Sequence, residues 1–290
     1  MEIIIGKTAG FCFGVKRAVE GSLEKVQNSD KKVYCLGELV HNSEVIKNIE
    51  KNGITVIDNL DEIKKNDAKI IIRAHGVDKK IYDEAKRRGF EIIDFTCPFV
   101  SKIHKIAEEY KEKDNYIFLV GSKIHPEIIG TASHCGDDYT IIESEDDVLV
   151  AQDKFVKSGK KKLLVIVQTT FSKKKFSEIE KRILESINKE IEITIKNTIC
   201  LATEQRQNET EELSKKVDIM IIVGGKNSSN TKKLYEIVCK NCVNTYIVET
   251  ANELELDKEK KHDIIGIMAG ASTPNESIEE VVNKISFTFT

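Results

Sequence analysis

The chain has 290 residues, of which 40% are hydrophobic and 32% are charged, and its formal net charge is −3 at pH 7. This length suffices for two or three small domains, and the composition is ordinary for a soluble globular protein. The lack of a basic excess argues against a nucleic-acid-binding protein. No apolar run approaches the roughly 20 residues that cross a bilayer, and the first residues do not read as a signal peptide. We therefore expect a cytoplasmic protein that binds neither nucleic acid nor membrane.

The first predicted element is a short apolar strand that leads into a cysteine and then into an amphipathic helical pattern. The same order of strand, cysteine and helix returns twice further along the chain. The three pairs are the strand 2–5 with Cys12, the strand 91–95 with Cys97, and the strand 191–195 with Cys200. One cysteine at such a junction is usually a packing residue, but three in corresponding places suggest a shared ligand.

Each of these units continues with three more predicted strands, and two of the three lead to polar side chains. The second strand ends in a glycine, and a polar residue follows four positions later; these pairs are Gly37 with His41, Gly121 with His125, and Gly224 with Ser228. The fourth strands end at His75, Thr169 and Ser272. From each cysteine to the polar residue after the second strand are 29, 28 and 28 residues, and this regular spacing indicates a threefold repeat.

The segments between the strands carry apolar residues at i, i+3 and i+4, which predicts helices and therefore parallel α/β sheets. Chemistry in such sheets lies at the carboxyl ends of the strands, where the polar candidates stand. Three like units around a pseudo-threefold axis would bring the three cysteines to one centre. The alternative is three α/β domains in a row, each with a separate cleft.

Three thiolates from distant points of the chain can hold zinc or an iron–sulfur cluster. The cysteines lie 85 and 103 residues apart, which is unlike the paired Cys-x-x-Cys spacing of closed zinc sites, although zinc remains possible. The other cysteines are predicted to be structural. Cys35 lies inside an apolar strand, Cys135 has no counterpart in the other units, and the pair Cys239 and Cys242 matches a redox or zinc motif by chance.

Several polar residues in these positions suit a phosphorylated ligand. Histidine, serine and asparagine side chains donate hydrogen bonds to phosphate oxygens, and the loop 224–233, "GGKNSSNTKK", opens a helix whose N–H groups can seat an anion. Glu127 directly follows Pro126 and is either a proton donor or an acid that complements the helix dipole. The histidines without a repeat counterpart, His104, His134 and His262, are predicted to be structural or solvated.

The motifs "GFCFGV", "LVHN", "RAHG", "TCP", "HPE", "QTT", "GGKNSSN" and "AGAST" occur in this order between residues 10 and 273. Together they resemble the 4-hydroxy-3-methylbut-2-enyl diphosphate reductases. The resemblance implies a trefoil of three α/β domains around a central 4Fe-4S iron–sulfur cluster, with Cys12, Cys97 and Cys200 as ligands and one iron site open to the substrate. The expected domains are 13–96, 97–196, and 197–290 together with the N-terminal strand region 1–12.

The resemblance also assigns roles to the polar residues. The substrate diphosphate would be held by His41, His75, His125, Ser228, Ser229, Asn230 and Ser272. Glu127 would donate protons, and Thr169 would orient the substrate hydroxyl and relay a proton.

The activity so implied is reductive dehydroxylation of an allylic diphosphate to isopentenyl and dimethylallyl diphosphate, the last step of the non-mevalonate isoprenoid pathway. The chain contains no G-x-G-x-x-G fingerprint for a nucleotide, so the electrons are expected from ferredoxin or flavodoxin. The rival hypotheses are a non-enzymatic three-cysteine protein that binds metal or phosphate, and a hydrolase or isomerase of phosphorylated metabolites.

Overall fold

The computed structural model describes residues 1–64, 67–256 and 264–289, so that His262 lies outside the described residues. The strands in the described part are β1 (Glu2–Ile5), β2 (Lys32–Leu36), β3 (Ile54–Ile57), β4 (Ala68–Ile72), β5 (Glu91–Asp94), β6 (Asn115–Val120), β7 (Tyr139–Ile142), β8 (Lys162–Val167), β9 (Glu192–Lys196), β10 (Ile219–Val223), β11 (Asn244–Val248) and β12 (Ile264–Ala269). The helices are α1 (Phe13–Gln27), α2 (Ser43–Lys51), α3 (Lys79–Arg87), α4 (Pro98–Glu112), α5 (Pro126–Ala132), α6 (Asp147–Ser158), α7 (Lys173–Ser186), α8 (Leu201–Ser214), α9 (Ser229–Val238) and α10 (Asn275–Phe289).

The strands form three four-stranded sheets with equivalent strand orders, which are β3-β2-β4-β5, β7-β6-β8-β9 and β11-β10-β12-β1. Neighbouring strands whose register is known are parallel in all three sheets. The predicted α/β class with parallel sheets is therefore confirmed. In each sheet the edge strand beside the fourth strand is the one that leads toward a cysteine.

The N-terminal strand β1 belongs to the same sheet as the last three strands of the chain. It pairs with β12, with Glu2 opposite Ile264 and Ile5 opposite Ile267. The same edge position is held by β5 beside β4 and by β9 beside β8. The domain boundaries expected from the resemblance remain a prediction.

The chain divides into two compact units. One comprises residues 1–28, 38–55 and 201–290, and the other comprises residues 29–37 and 56–200. The first unit holds the sheet β11-β10-β12-β1, and the second holds the sheet β7-β6-β8-β9 together with β2, β4 and β5. None of the described helices combines the length and apolarity needed to cross a bilayer.

The central strands are buried on both faces, as strands covered by helices on either side must be. In the second unit, Phe118 and Val165 face a core with Phe155 of α6, whereas Ile117 faces a core with Ile103 of α4. Both faces of the strands are thus occupied by apolar packing. The carboxyl ends of the strands are the places left for polar chemistry.

Candidate functional site

Each of the three predicted cysteine ligands has the same backbone setting. Each lies immediately before a helix, α1, α4 or α8. The backbone N–H of each donates to a carbonyl just beyond a fourth strand; the pairs are Cys12 with Ala271 (3.1 Å), Cys97 with Ala74 (2.9 Å) and Cys200 with Thr169 (3.0 Å). The repeat seen in the sequence is therefore a repeat of local contacts, in which a thiol lies beside a polar strand end.

The exposure of the cysteines separates these three from the others. Cys12, Cys97 and Cys200 are half-buried, whereas Cys239 is exposed and Cys35, Cys135 and Cys242 are buried. Burial raises the pKa of both Cys35 and Cys135 to about 12, which keeps these thiols protonated. The prediction that Cys35 is a core residue is confirmed.

Glu127 and Thr169 form a buried acid–hydroxyl pair in the second unit. Glu127 lies in the first turn of α5 and is 1% exposed. Its Oε1 accepts a hydrogen bond from the backbone N–H of Thr169, and its Oε2 accepts one from the Thr169 hydroxyl, both at 2.6 Å. Burial raises the pKa of Glu127 to about 7, against the opposing effect of these two hydrogen bonds. The carboxyl group can therefore hold a proton near neutral pH.

His125 and His75 place two imidazole rings in the same unit as this acid. His125 caps α5, and its Nδ1 accepts a hydrogen bond from the backbone N–H of Glu127 at 3.2 Å. In the neutral ring this leaves Nε2 as the N–H donor. The ring of His75 meets that of His125 edge to face, with centroids 5.3 Å apart.

The loop that carries His75 is packed directly against α5. A Cβ built on Gly130 would lie 3.3 Å from the carbonyl oxygen of Val77, so the helix and the loop are in tight contact here. The hydroxyl of Ser133 accepts a hydrogen bond from the backbone N–H of Lys79 at 3.0 Å. These contacts, which the sequence analysis missed, couple the position of His75 to that of α5.

In the first unit, Ser228, Ser229 and Asn230 surround the start of α9. Ser228 is the N-cap residue, and its hydroxyl accepts from the backbone N–H of Thr231. Asn230 is 3% exposed, and within the described part of the chain neither Nδ2 nor Oδ1 of its side chain has a hydrogen-bond partner. A buried amide without partners is rare and points to a ligand.

His41 and Ser272 belong to the same unit and are joined through the backbone. The Ser272 hydroxyl donates to the carbonyl oxygen of His41 at 3.1 Å. A Cβ built on Gly225 would lie 2.4 Å from that same oxygen, so only glycine permits the loop before Ser228 to come this close. The His41 ring lies 3.0 Å from a carboxylate oxygen of Glu38, measured from Nδ1.

The structure assigns the predicted site residues to the two units as follows. Cys12, His41, Ser228, Ser229, Asn230 and Ser272 belong to the first; His75, Cys97, His125, Glu127, Thr169 and Cys200 belong to the second. His104 and His134, which are predicted to be structural or solvated, stack with their ring centroids 4.2 Å apart. Burial also lowers the pKa of His104 to about 4.

Comparison with known proteins shows similarity along almost the whole chain. The family model for LytB protein matches residues 3–286. The 4-hydroxy-3-methylbut-2-enyl diphosphate reductase of Thermoanaerobacter sp. (strain X514) is 45% identical over 291 residues, which cover 99% of this chain and 97% of that protein. The protein of the same name from Clostridioides difficile (strain 630) is 41% identical over 282 residues, covering 97% of this chain and 98% of its own length.

A solved structure shows the same similarity at the level of the fold. The E-1-hydroxy-2-methyl-but-2-enyl-4-diphosphate reductase from Plasmodium falciparum superposes with a TM-score of 0.90 at 31% sequence identity. The match covers 100% of this chain and 90% of that one.

Proposed function

The chain belongs to the LytB family, and we propose that it is a 4-hydroxy-3-methylbut-2-enyl diphosphate reductase of the non-mevalonate isoprenoid pathway. The reaction removes the hydroxyl group of an allylic diphosphate with two electrons and two protons, and it yields isopentenyl and dimethylallyl diphosphate together with water. The observation that carries the proposal is the buried Glu127 carboxyl, which is protonatable near neutral pH and hydrogen-bonded to the Thr169 hydroxyl.

The resident cofactor is an iron–sulfur cluster, which we propose to be of the 4Fe-4S type, held by Cys12, Cys97 and Cys200 with one iron site open. The donor set fits, because three half-buried thiols share one backbone setting and thiolates are the usual ligands of such clusters. When bound, the cluster would pass the donor's two electrons to the substrate one at a time and act as a Lewis acid at the substrate hydroxyl.

The diphosphate is held by His41, His75, His125, Ser228, Ser229, Asn230 and Ser272. The Nε2–H of His125 is a donor suited to a phosphate oxygen, since Nδ1 of that ring already accepts a hydrogen bond. The Nδ2 group of Asn230, which has no hydrogen-bond partner among the described residues, can donate to such an oxygen, and it lies in the first turn of α9, where backbone N–H groups favour an anion.

Glu127 and Thr169 deliver a proton to the departing oxygen. With Glu127 protonated, Oε2 donates to the Thr169 hydroxyl oxygen, and the hydroxyl hydrogen of Thr169 is then free to turn toward the substrate. The oxygen leaves as water, and the second proton goes to the carbon skeleton. Glu127 is 1% exposed, so bulk water is kept away from its carboxyl group.

The electrons come from a protein donor, for which we propose ferredoxin or flavodoxin. The chain carries no G-x-G-x-x-G nucleotide fingerprint of its own. Thiols that form no disulfide are consistent with a reducing, cytoplasmic setting.

The proposal is tested with protein purified and assayed without oxygen. We expect brown protein that contains iron and sulfide and turns over the allylic diphosphate only when a reductant is supplied. Colourless, zinc-containing protein would support the three-cysteine binding protein instead. Turnover that needs no reductant would support a hydrolase or isomerase.

Replacing Glu127 with glutamine tests the proton donor. Glu127→Gln should keep the cluster and the substrate affinity but lose roughly 100-fold or more in turnover, because a carboxamide cannot donate the proton. The exposed Glu145→Gln in the same unit is the matched control and should turn over like the unmodified enzyme. Normal turnover in Glu127→Gln would remove this residue from the acid role.

A further inference from the structure

Helix α8, which begins directly after Cys200, has a buried face that is mostly polar. The residues buried on it are Thr203, Arg206, Gln207, Thr210, Leu213 and Ser214. A helix without an apolar stripe is not held by hydrophobic packing alone. Its buried polar groups need specific partners.

Arg206 and Glu209 find these partners on the segment 7–10, which follows β1. Arg206 is 4% exposed, and its guanidinium donates to two carbonyl oxygens, from Nε to Thr8 at 2.7 Å and from Nη2 to Gly10 at 2.8 Å. The carboxylate of Glu209 accepts from the backbone N–H of Lys7 at 2.6 Å and from that of Thr8 at 2.8 Å. It also accepts from the Thr8 hydroxyl.

The two side chains therefore provide hydrogen-bond partners for both the carbonyl and the N–H groups of this irregular backbone. The cation takes carbonyl oxygens, and the anion one turn later takes N–H groups, so that a segment outside any helix or strand gains the partners that regular structure would provide. The segment leads directly to Cys12, whose own N–H is bound to Ala271. The segment that α8 holds in this way thus ends two residues before Cys12.

We propose that Arg206 and Glu209 are positioning residues for the iron–sulfur centre, which they serve by clamping the segment 7–10 and so holding Cys12 in place for cluster binding. The inference rests on the proposed function, because it takes Cys12 to be a cluster ligand. Replacing groups that orient a metal ligand in this indirect way weakens the binding of the metal.

The test uses Glu209→Gln and Arg206→Lys. Glutamine keeps the size of the side chain but turns an N–H₂ group toward a backbone N–H, and lysine keeps the charge but loses the two-pronged guanidinium. Glu212→Gln, on the exposed face of the same helix, is the matched control. In apo-protein, circular dichroism reports whether each variant folds, and hydrogen exchange together with alkylation of Cys12 reports the mobility of the segment 7–12.

We expect folded apo-protein in both clamp variants, with faster exchange at Lys7 and Thr8 and faster alkylation of Cys12. After anaerobic reconstitution, release of iron to a chelator should be roughly tenfold faster than in the unmodified protein, with the visible absorption of the cluster lost at the same rate. The control should match the unmodified protein in every measurement. If one clamp variant does not fold, the other decides.

Three results would overturn the inference. If folded clamp variants retain iron as the control does, the clamp is only structural. If they lose iron while exchange and alkylation stay unchanged, the effect does not act through the segment. Unmodified protein that binds no cluster would refute both the proposed cofactor and this inference. The iron and sulfide content of the reconstituted unmodified protein alone reveals this case.

Discussion

The pKa of the Glu127 carboxyl group results from a balance between its burial and two hydrogen bonds that it accepts from Thr169. Burial favours the protonated form, while the N–H and hydroxyl of Thr169 favour the carboxylate, and the balance leaves the pKa at about 7. Turnover needs the protonated acid, which is present below this pKa. We therefore expect turnover to fall as the pH rises through about 7.

Thr169→Val separates the two hydrogen bonds. Valine removes the hydroxyl and keeps the backbone N–H, so one of the two effects that lower the pKa of Glu127 is lost. The alkaline limb of the pH–turnover profile should move to higher pH, while turnover falls because the relay hydroxyl is gone. Steady-state kinetics across this limb measures the shift. A limb that stays in place, or one that persists in Glu127→Gln, would show that another group titrates.

Among the secondary-structure elements, the contact between α5 and the loop after β4 determines how two histidine-bearing segments lie against each other. The helix has seven residues and carries His125 at its start, and the loop carries His75. Gly130 lies where the two are in tight contact. The relative positions of two histidines that we propose to bind the diphosphate therefore depend in part on this glycine.

Gly130→Val should push the helix and the loop apart, because its side chain would meet the backbone of Val77. We expect the dissociation constant for the allylic diphosphate to rise roughly tenfold, measured by calorimetry. The reason is that displaced histidine rings would no longer be aligned with the diphosphate. The control is Gly159→Ala, at a helix end with φ of 72° and no atom within 4 Å. It should lose about 1 kcal/mol of stability and bind normally. Unchanged binding in Gly130→Val would contradict this role.

Much of the fold of the whole molecule can be predicted from the sequence, because strands and helices leave patterns in neighbouring residues. Apolar runs and helix periodicity predict the parallel sheets and the helices that begin directly after Cys12, Cys97 and Cys200, as the structure shows. Spacing leaves the role of Glu127 open, and the proton-donor role that we propose comes from the family resemblance. Physical spacing alone could not reveal that its partner would be Thr169, 42 residues away.

The hydrogen bonds that Arg206 and Glu209 form with the segment 7–10 could not be predicted for a related reason. Arg206 binds the carbonyl oxygen of Thr8 across 198 residues, and backbone carbonyls carry no side-chain signature by which a partner can be recognised. The one available signal was negative, namely the absence of an apolar stripe on α8. Such a helix must be held by polar contacts, but their identity comes from the tertiary structure.

The cluster that we propose on Cys12, Cys97 and Cys200 would also link segments 85 and 103 residues apart in the sequence. A ligand that binds only the folded chain raises its stability, and a link across such long loops adds to this by restricting the unfolded chain. Anaerobic calorimetry should therefore show a higher Tm for the cluster-bound protein than for apo-protein. Cys97→Ser should abolish that difference, whereas Cys239→Ser, at an exposed thiol, should preserve it. Equal losses in both variants would contradict the sorting of the thiols, because an exposed cysteine outside the three equivalent positions has no ligand role to lose.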